Sequence, residues 1–179
     1  MSVETEVHTG GCQCGAVRFA VMGALGHASI CHCRMCQKAF GGFYGPLVSV
    51  RGADLAWSRG EPKRFQSSNH VQRGFCADCG TPLTYEAPDG VAIAIGAFDE
   101  PAGIVPEVQF GTEGKLPYVD TLAGLPGMIT EADDESAAFI ATLVSYQHPD
   151  HDTTHWPPEG GAPEKQTASR DGTAKDDAR

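Results

Sequence analysis

Cys31-His32-Cys33-Arg34-Met35-Cys36 places three cysteines within six residues, and what those three bind decides how the chain is held together. Four more cysteines flank them, in the pairs Cys12-Gln13-Cys14 and Cys76-Ala77-Asp78-Cys79. Zinc takes four thiolate or imidazole ligands in a tetrahedron, and a structural site fills all four. The 7 cysteines make one set of four and one set of three. A set of three leaves a coordination position open, which is what a catalytic or substrate-binding zinc keeps.

Close pairs of the C-x-C and C-x-x-C kind let two sulfurs of one turn face one ion, so each pair is half a site. Two half-sites far apart in sequence staple their segments together, and binding free energy becomes folding free energy. Cys12/Cys14 and Cys76/Cys79 are each followed by glycine, Gly15 and Gly80. Glycine there lets the backbone take positive φ and turn its amides toward the thiolates. The likeness of CQCG to CADCG therefore predicts that these four cysteines form the structural centre. An alternative partition joins Cys12 and Cys14 to two of the middle cysteines. It strands one thiol and leaves Cys76/Cys79 short of ligands. An iron–sulfur cluster is a weaker alternative, because the spacings do not match ferredoxin patterns.

Cys31, Cys33 and Cys36 are left for a second centre. His32 is the alternative fourth ligand, although a side chain between two ligands tends to point away from the metal. Three thiolates on a divalent ion carry a net charge of about −1 and favour a soft, anionic fourth ligand such as a substrate thiolate. Zinc deprotonates a coordinating thiol, so thiol or thioether chemistry is expected here. Arg34, Gln37 and Lys38 stand beside this cluster as candidate binders of ligand carboxylates through charge-assisted hydrogen bonds. Phe40, Phe43 and Tyr44 are read as core in preference to pocket wall, and Arg73 as a strand residue facing solvent.

Composition sets the frame for these sites. The chain has 179 residues, enough for one domain. Its 13 Lys and Arg against 23 Asp and Glu give a net charge of −10. Nucleic-acid affinity comes chiefly from cations that neutralise phosphates, so a nucleic-acid partner is not expected. No run of about 18 apolar residues predicts a membrane span. The start, MSVETEVHTGG, lacks the basic stretch and apolar core of a signal peptide. A cytoplasmic location is therefore expected, where clustered cysteines bind metal or react more often than they form disulfides.

Along the chain the pattern is short strands and turns. Strands are predicted over residues 16–21, 44–50, 55–57, 71–75, 83–86, 91–95 and 107–110. Pro88-Asp89-Gly90 turns a hairpin between the fifth and sixth of these. One helix is predicted over about 133–145, with Thr130 as N-cap and Ala137, Phe139, Ile140, Leu143 and Val144 at helical spacing. Gly, Pro, Ser, Thr and charge from about Pro157 onward read as a disordered tail. His148, His151 and His155 precede it, in a segment too poor in hydrophobes to fix a metal geometry.

Taken in order, Gly11 to Gly15, Cys31 to Cys36 and Phe75 to Leu83 spell G-x-C-x-C-G, C-H-C-x-x-C and F-C-x-x-C-G-T-x-L. Lys115-Leu116-Pro117-Tyr118 follows, with Asp120 and Leu125-Pro126. Over roughly residues 8–127 this resembles the glutathione-dependent formaldehyde-activating enzyme family, also called the centromere-protein-V family. The resemblance implies a mainly β chain, a β-tent of small antiparallel sheets stapled by two zinc ions. With the helix and tail read from spacing and composition, the chain is expected to divide into a GFA-like β domain over 1–130, a C-terminal helix over 131–147 and a flexible tail over 148–179. The resemblance implies Cys12, Cys14, Cys76 and Cys79 as structural ligands, and Cys31, Cys33 and Cys36 as ligands of an accessible catalytic zinc. The implied activity is that of a carbon–sulfur lyase, which joins formaldehyde to glutathione to give S-hydroxymethylglutathione and also reverses that step. Where the family has tryptophan and, nine positions earlier, often histidine, this chain has Tyr118 and Gln109. Those two positions bear on which thiol is used. The alternative is a zinc-stabilised thiol- or protein-binding module without catalysis.

Overall fold

The structure, a computed structural model, describes residues 6–129 and 134–157. Its strands are β1 (Val7–Gly11), β2 (Arg18–Met22), β3 (Ala28–Cys31), β4 (Gly45–Ser49), β5 (Asp54–Arg59), β6 (Lys63–Gln66), β7 (Gln72–Phe75), β8 (Pro82–Ala87), β9 (Gly90–Ala94) and β10 (Val108–Phe110). Two short helices are α1 (Arg34–Phe40) and α2 (Asp134–Ile140). The mainly β expectation holds. One sheet has the order β1-β2-β5 and the other β10-β3-β4-β9-β8-β7-β6. All pairings are antiparallel except that of β10 with β3, which is parallel, so the second sheet is mixed and not purely antiparallel.

Sequence and structure agree best where alternation is strong. In β2, Phe19 and Val21 are fully buried, as period-2 geometry requires of one face. Phe19 meets Trp57 and Phe98 edge-on, with ring centroids at 6.0 and 5.1 Å. Val48, Leu83 and Ile93 complete the core from β4, β8 and β9. The predicted hairpin is present: Ala87 pairs with Gly90 across Pro88-Asp89, and Gly90 has φ of 143°. The strands β1, β3 and β6 were not predicted. VHTGG and KRFQ are too polar to alternate, and both lie at sheet edges, where no second strand demands an apolar face. Gly10 in β1 is needed sterically, since a Cβ there would collide with the Ala97 carbonyl and the Phe19 ring.

Helix α1 was also not predicted. It begins at Cys33 and ends on Gly41, whose φ of 62° and N–H bond to Gln37 O make a left-handed cap. The predicted C-terminal helix is shorter than its apolar spacing suggested, ending at Ile140. Its Phe139 and the following Leu143 and Val144 are exposed. Thr130, the expected N-cap, lies outside the described residues. No helix among the described residues is long and apolar enough to cross a membrane.

The segment expected to begin a flexible tail at residue 148 packs against the domain as far as Trp156. Arg18 is buried, and its guanidinium holds Asp99 with both nitrogens, at 2.8 and 2.6 Å, and Asp152 at 2.7 and 3.0 Å. Thr9 donates to Asp99 at 2.6 Å. His148 is buried, donates from its backbone to Gln13 O at 2.7 Å and stacks edge-on against Trp156. Arg59 reaches Gly15 O and Thr153 O. These partners are up to 134 positions apart, so local composition could not reveal them.

Burial pushes the Asp99 carboxyl up, but the hydrogen bonds from Arg18 and Thr9 outweigh it and hold the group below the usual carboxylate range. A depressed folded-state value stabilises the fold above the unfolded value, about 3.9. That stabilisation disappears as pH falls through the lower folded value. Asp99→Ala, which removes two of the buried guanidinium's charge-assisted bonds and leaves it Asp152 as partner, is expected to cost about 2–3 kcal/mol at neutral pH. Urea unfolding from pH 7 down to pH 3 checks this: the gap between wild type and Asp99→Ala should narrow below about pH 4. A constant gap would mean that the Arg18 pair contributes nothing.

Candidate metal centres

Two cysteine clusters assemble as the pair spacing predicted. Cys12, Cys14, Cys76 and Cys79 bring their sulfurs within 4.8 Å of one another, and so do Cys31, Cys33 and Cys36. Cys12 follows β1 and Cys76 follows β7, so the first cluster ties the end of one sheet to the other. Each knuckle closes on its glycine: Gly15 N donates to Cys12 O three positions back and Gly80 N to Cys76 O four positions back, both at 3.0 Å. Gly15 and Gly80 have φ of 74° and 80°, the positive values expected from sequence. Gln13 N donates to Thr81 Oγ1 at 3.0 Å and joins the knuckles directly.

The sulfur geometry tests whether a metal fits. Four thiolates at about 2.3 Å from a tetrahedral zinc stand about 3.8 Å apart. Cys12 and Cys14 sulfurs are 3.6 Å apart, and those of Cys14 and Cys76 are 3.8 Å apart. Val17 N also donates to Cys12 Sγ at 3.2 Å, the kind of backbone support that orients metal ligands. Desolvation and the neighbouring sulfurs push the Cys14 thiol up. Desolvation also raises Cys79, but the Thr81 hydroxyl and backbone outweigh it and bring that thiol down to about 6. Four sulfurs this close cannot all ionise without a cation between them. His148 packs over the turn at Gly15, where a Cβ would strike its ring, and it is a member of neither cysteine cluster.

The second cluster is built differently. Cys31 ends β3, Cys33 precedes α1 and Cys36 is buried one turn into it. No fourth His, Cys, Asp or Glu among the described residues joins these three sulfurs. His32 is fully buried and turned to the other side: its Nε2 meets Gln109 Oε1 at 2.9 Å, and its ring stands edge-on to Tyr44. Burial and the adjacent sulfurs push Cys31 up to about 12. Cys33 goes the other way: desolvation raises it, but the Cys36 backbone N–H and the neighbouring thiols bring it below its usual value.

A cleft of about 480 Å³ lies over this cluster, lined by all three cysteines with Leu47, Arg73, Tyr85 and Phe110 among others. Arg73 corrects the solvent-facing expectation. It is 8% exposed, donates from Nη2 to Cys36 Sγ at 3.3 Å and from Nε to Ser67 Oγ at 3.1 Å, and lies 5.0 Å over the Tyr85 ring. The available signal was charge: three thiolates on a divalent ion call for a cation nearby.

The residues expected to bind carboxylates separate. Gln37 is buried and donates to His32 O at 2.7 Å and Gly114 O at 2.9 Å, which fixes the turn beneath α1. Its amide nitrogen is spent on backbone, its Oε1 accepts from Arg34 Nη1 at 3.1 Å, and it does not line the cleft. Arg34 and Lys38 are exposed and line a neighbouring depression with Met35, Phe65 and Arg73. Phe40 packs on the core, while Phe43 is exposed and stacks on Tyr118.

A crystal structure of a Rhodobacter sphaeroides protein matches at 23% identity and a TM-score of 0.43, over 57% of this chain and 98% of its own. The family model of the glutathione-dependent formaldehyde-activating enzyme matches residues 7–113, more than half of the chain and all seven cysteines. On that match the chain belongs to the glutathione-dependent formaldehyde-activating enzyme family.

Proposed function

We propose that the chain is a zinc-dependent enzyme of carbon–sulfur lyase type, acting in the cytoplasm on an adduct of glutathione or another small thiol. The observation that carries this is the three-sulfur cluster on the floor of a cleft, with no fourth protein ligand among the described residues. Zinc held by Cys31, Cys33 and Cys36 supplies one position that favours a thiolate. Cys12, Cys14, Cys76 and Cys79 hold a second zinc that only braces the fold.

In the forward reaction the thiolate sulfur forms a bond to the formaldehyde carbon, the carbonyl π bond breaks, and its oxygen takes a proton to give the S-hydroxymethyl thioether. The reverse step breaks the carbon–sulfur bond and returns the proton. The cleft contributes position and dryness: Leu47, Ala92 and Phe110 form its apolar part. Burial raises the Tyr85 hydroxyl above its usual value, so it keeps its proton and is the cleft's candidate donor to the carbonyl oxygen. Arg34 and Lys38 lie within the adjoining depression, where the carboxylates of an extended thiol peptide would find charge-assisted partners. The net charge of −10 fits a small-molecule partner better than nucleic acid.

Exchange spectroscopy with ¹³C-formaldehyde and glutathione measures the reaction at equilibrium. The loaded protein is expected to raise the exchange rate at least about a hundredfold over protein-free buffer, the lower end of the 10²–10⁴-fold typical of one proton-transfer contribution. Glutathione binding without any rate increase would assign the chain to the binding-module class instead.

A further inference from the structure

We propose that Arg73 is a positioning residue that makes the three-cysteine centre select an anionic fourth ligand. The inference rests on the reading of Cys31, Cys33 and Cys36 as an open metal centre. Three thiolates and a divalent cation sum to a net charge of about −1, and a thiolate in the fourth position brings the centre to about −2. That second negative charge would enter a cleft whose other lining residues are mostly apolar or neutral. An anion added to an anionic centre is opposed, and a low-dielectric wall increases the opposition.

Arg73 answers this imbalance. It is the one Lys or Arg among the cleft's lining residues, and the residue as a whole is 8% exposed. Its partners are a sulfur, a hydroxyl and a ring: Cys36 Sγ at 3.3 Å, Ser67 Oγ at 3.1 Å and the Tyr85 face at 5.0 Å. With a ligand sulfur, and no carboxylate, as its anionic partner, its charge is directed at the cluster. The other charged groups at the cleft are peripheral. Asp89 is exposed, and His27 is 89% exposed and turned to Glu107 at 2.9 Å. Arginine keeps its charge at every accessible pH, so the counter-charge is permanent. A thiol that binds here gives its proton to solvent, and Arg73 stabilises the thiolate that remains. A neutral ligand gains nothing from it.

The test uses the protein loaded with two cobalt ions per chain, whose visible bands report each fourth ligand directly. The probes are 2-mercaptoethanol, azide and imidazole: a thiol without carboxylates, an inorganic anion and a neutral donor. Arg73→Met is expected to weaken 2-mercaptoethanol and azide at least about tenfold and to leave imidazole within about twofold. Arg73→Lys is expected to restore most of the loss. If Arg73→Met does not load two cobalt ions, Ser67→Ala replaces it; by loosening the guanidinium it should weaken both anions about twofold to threefold and spare imidazole. Equal weakening of all three probes, or no change in any, overturns the counter-charge role. Wild-type binding of azide but not of 2-mercaptoethanol overturns the thiol function while leaving the role of Arg73 to be decided by azide. Binding of none of the probes by wild type overturns both.

Discussion

Cys76→Ser is expected to abolish the folded state at room temperature. Cys76 is 1% exposed and packs in the core beside Cys12, Leu83 and Phe98. Its cluster joins the turn after β1 to the turn after β7, which belong to different sheets. Beyond that staple the first sheet is tied to the segment after β9 by the Gly10–Phe98 bridge, by Thr9 and Arg18 on Asp99, and by the apolar core. A structural zinc contributes roughly 10–16 kcal/mol to folding, and a domain of this size has a net stability of about 5–15 kcal/mol. Loss of the ion that follows removal of its most buried ligand therefore removes an amount comparable to the whole stability. Circular dichroism should show no cooperative melt, and metal analysis should show loss of both ions. A cooperative melt within a few degrees of wild type would show that the four-cysteine centre is dispensable.

Cys31→Ser is expected to leave the fold standing and end the chemistry. The local structure around the second cluster has metal-independent support. Gln37 donates to His32 O and Gly114 O, His32 N donates to Phe110 O at 2.8 Å, and Gly41 caps α1. Metal content should fall from two to about one per chain, with the remaining ion held by the four sulfurs of the first cluster. The melting temperature should drop by only several degrees, as for a loss of about 1–2 kcal/mol. Formaldehyde–glutathione exchange should return to the rate of protein-free buffer. Unfolding of Cys31→Ser as complete as that of Cys76→Ser would mean that both centres are structural.

How far these roles could be read from sequence follows the range of the interactions. The likeness of CQCG and CADCG was enough to separate four cysteines from three, because each knuckle is a local turn with its own glycine. The strands over 16–21 and 91–95 were legible because their composition and the turn at Pro88-Asp89-Gly90 are local too. Arg73 was misread because a cation on a short strand looks solvent-facing until its neighbour, Cys36, is known, and the two are 37 positions apart. Gln37 was read as a ligand binder beside the cluster, yet its amide closes on backbone carbonyls, one of them 77 positions away. His148 lies in a stretch whose composition suggests no order. Its burial comes from the turn at Gly15, from Arg59 and from Trp156. Gln109, which stands where the family often has histidine, hydrogen-bonds His32, so this departure touches the support of the cluster and not the cleft itself.

Zinc K-edge absorption of the purified protein, with and without glutathione, tests the two-centre account most directly. Two zinc ions per chain with four and three protein sulfurs predict a mean of about 3.5 sulfurs per zinc, rising toward about 4 when millimolar glutathione is added. A single zinc per chain, or a sulfur count already near 4 without thiol, would contradict an open centre at Cys31, Cys33 and Cys36.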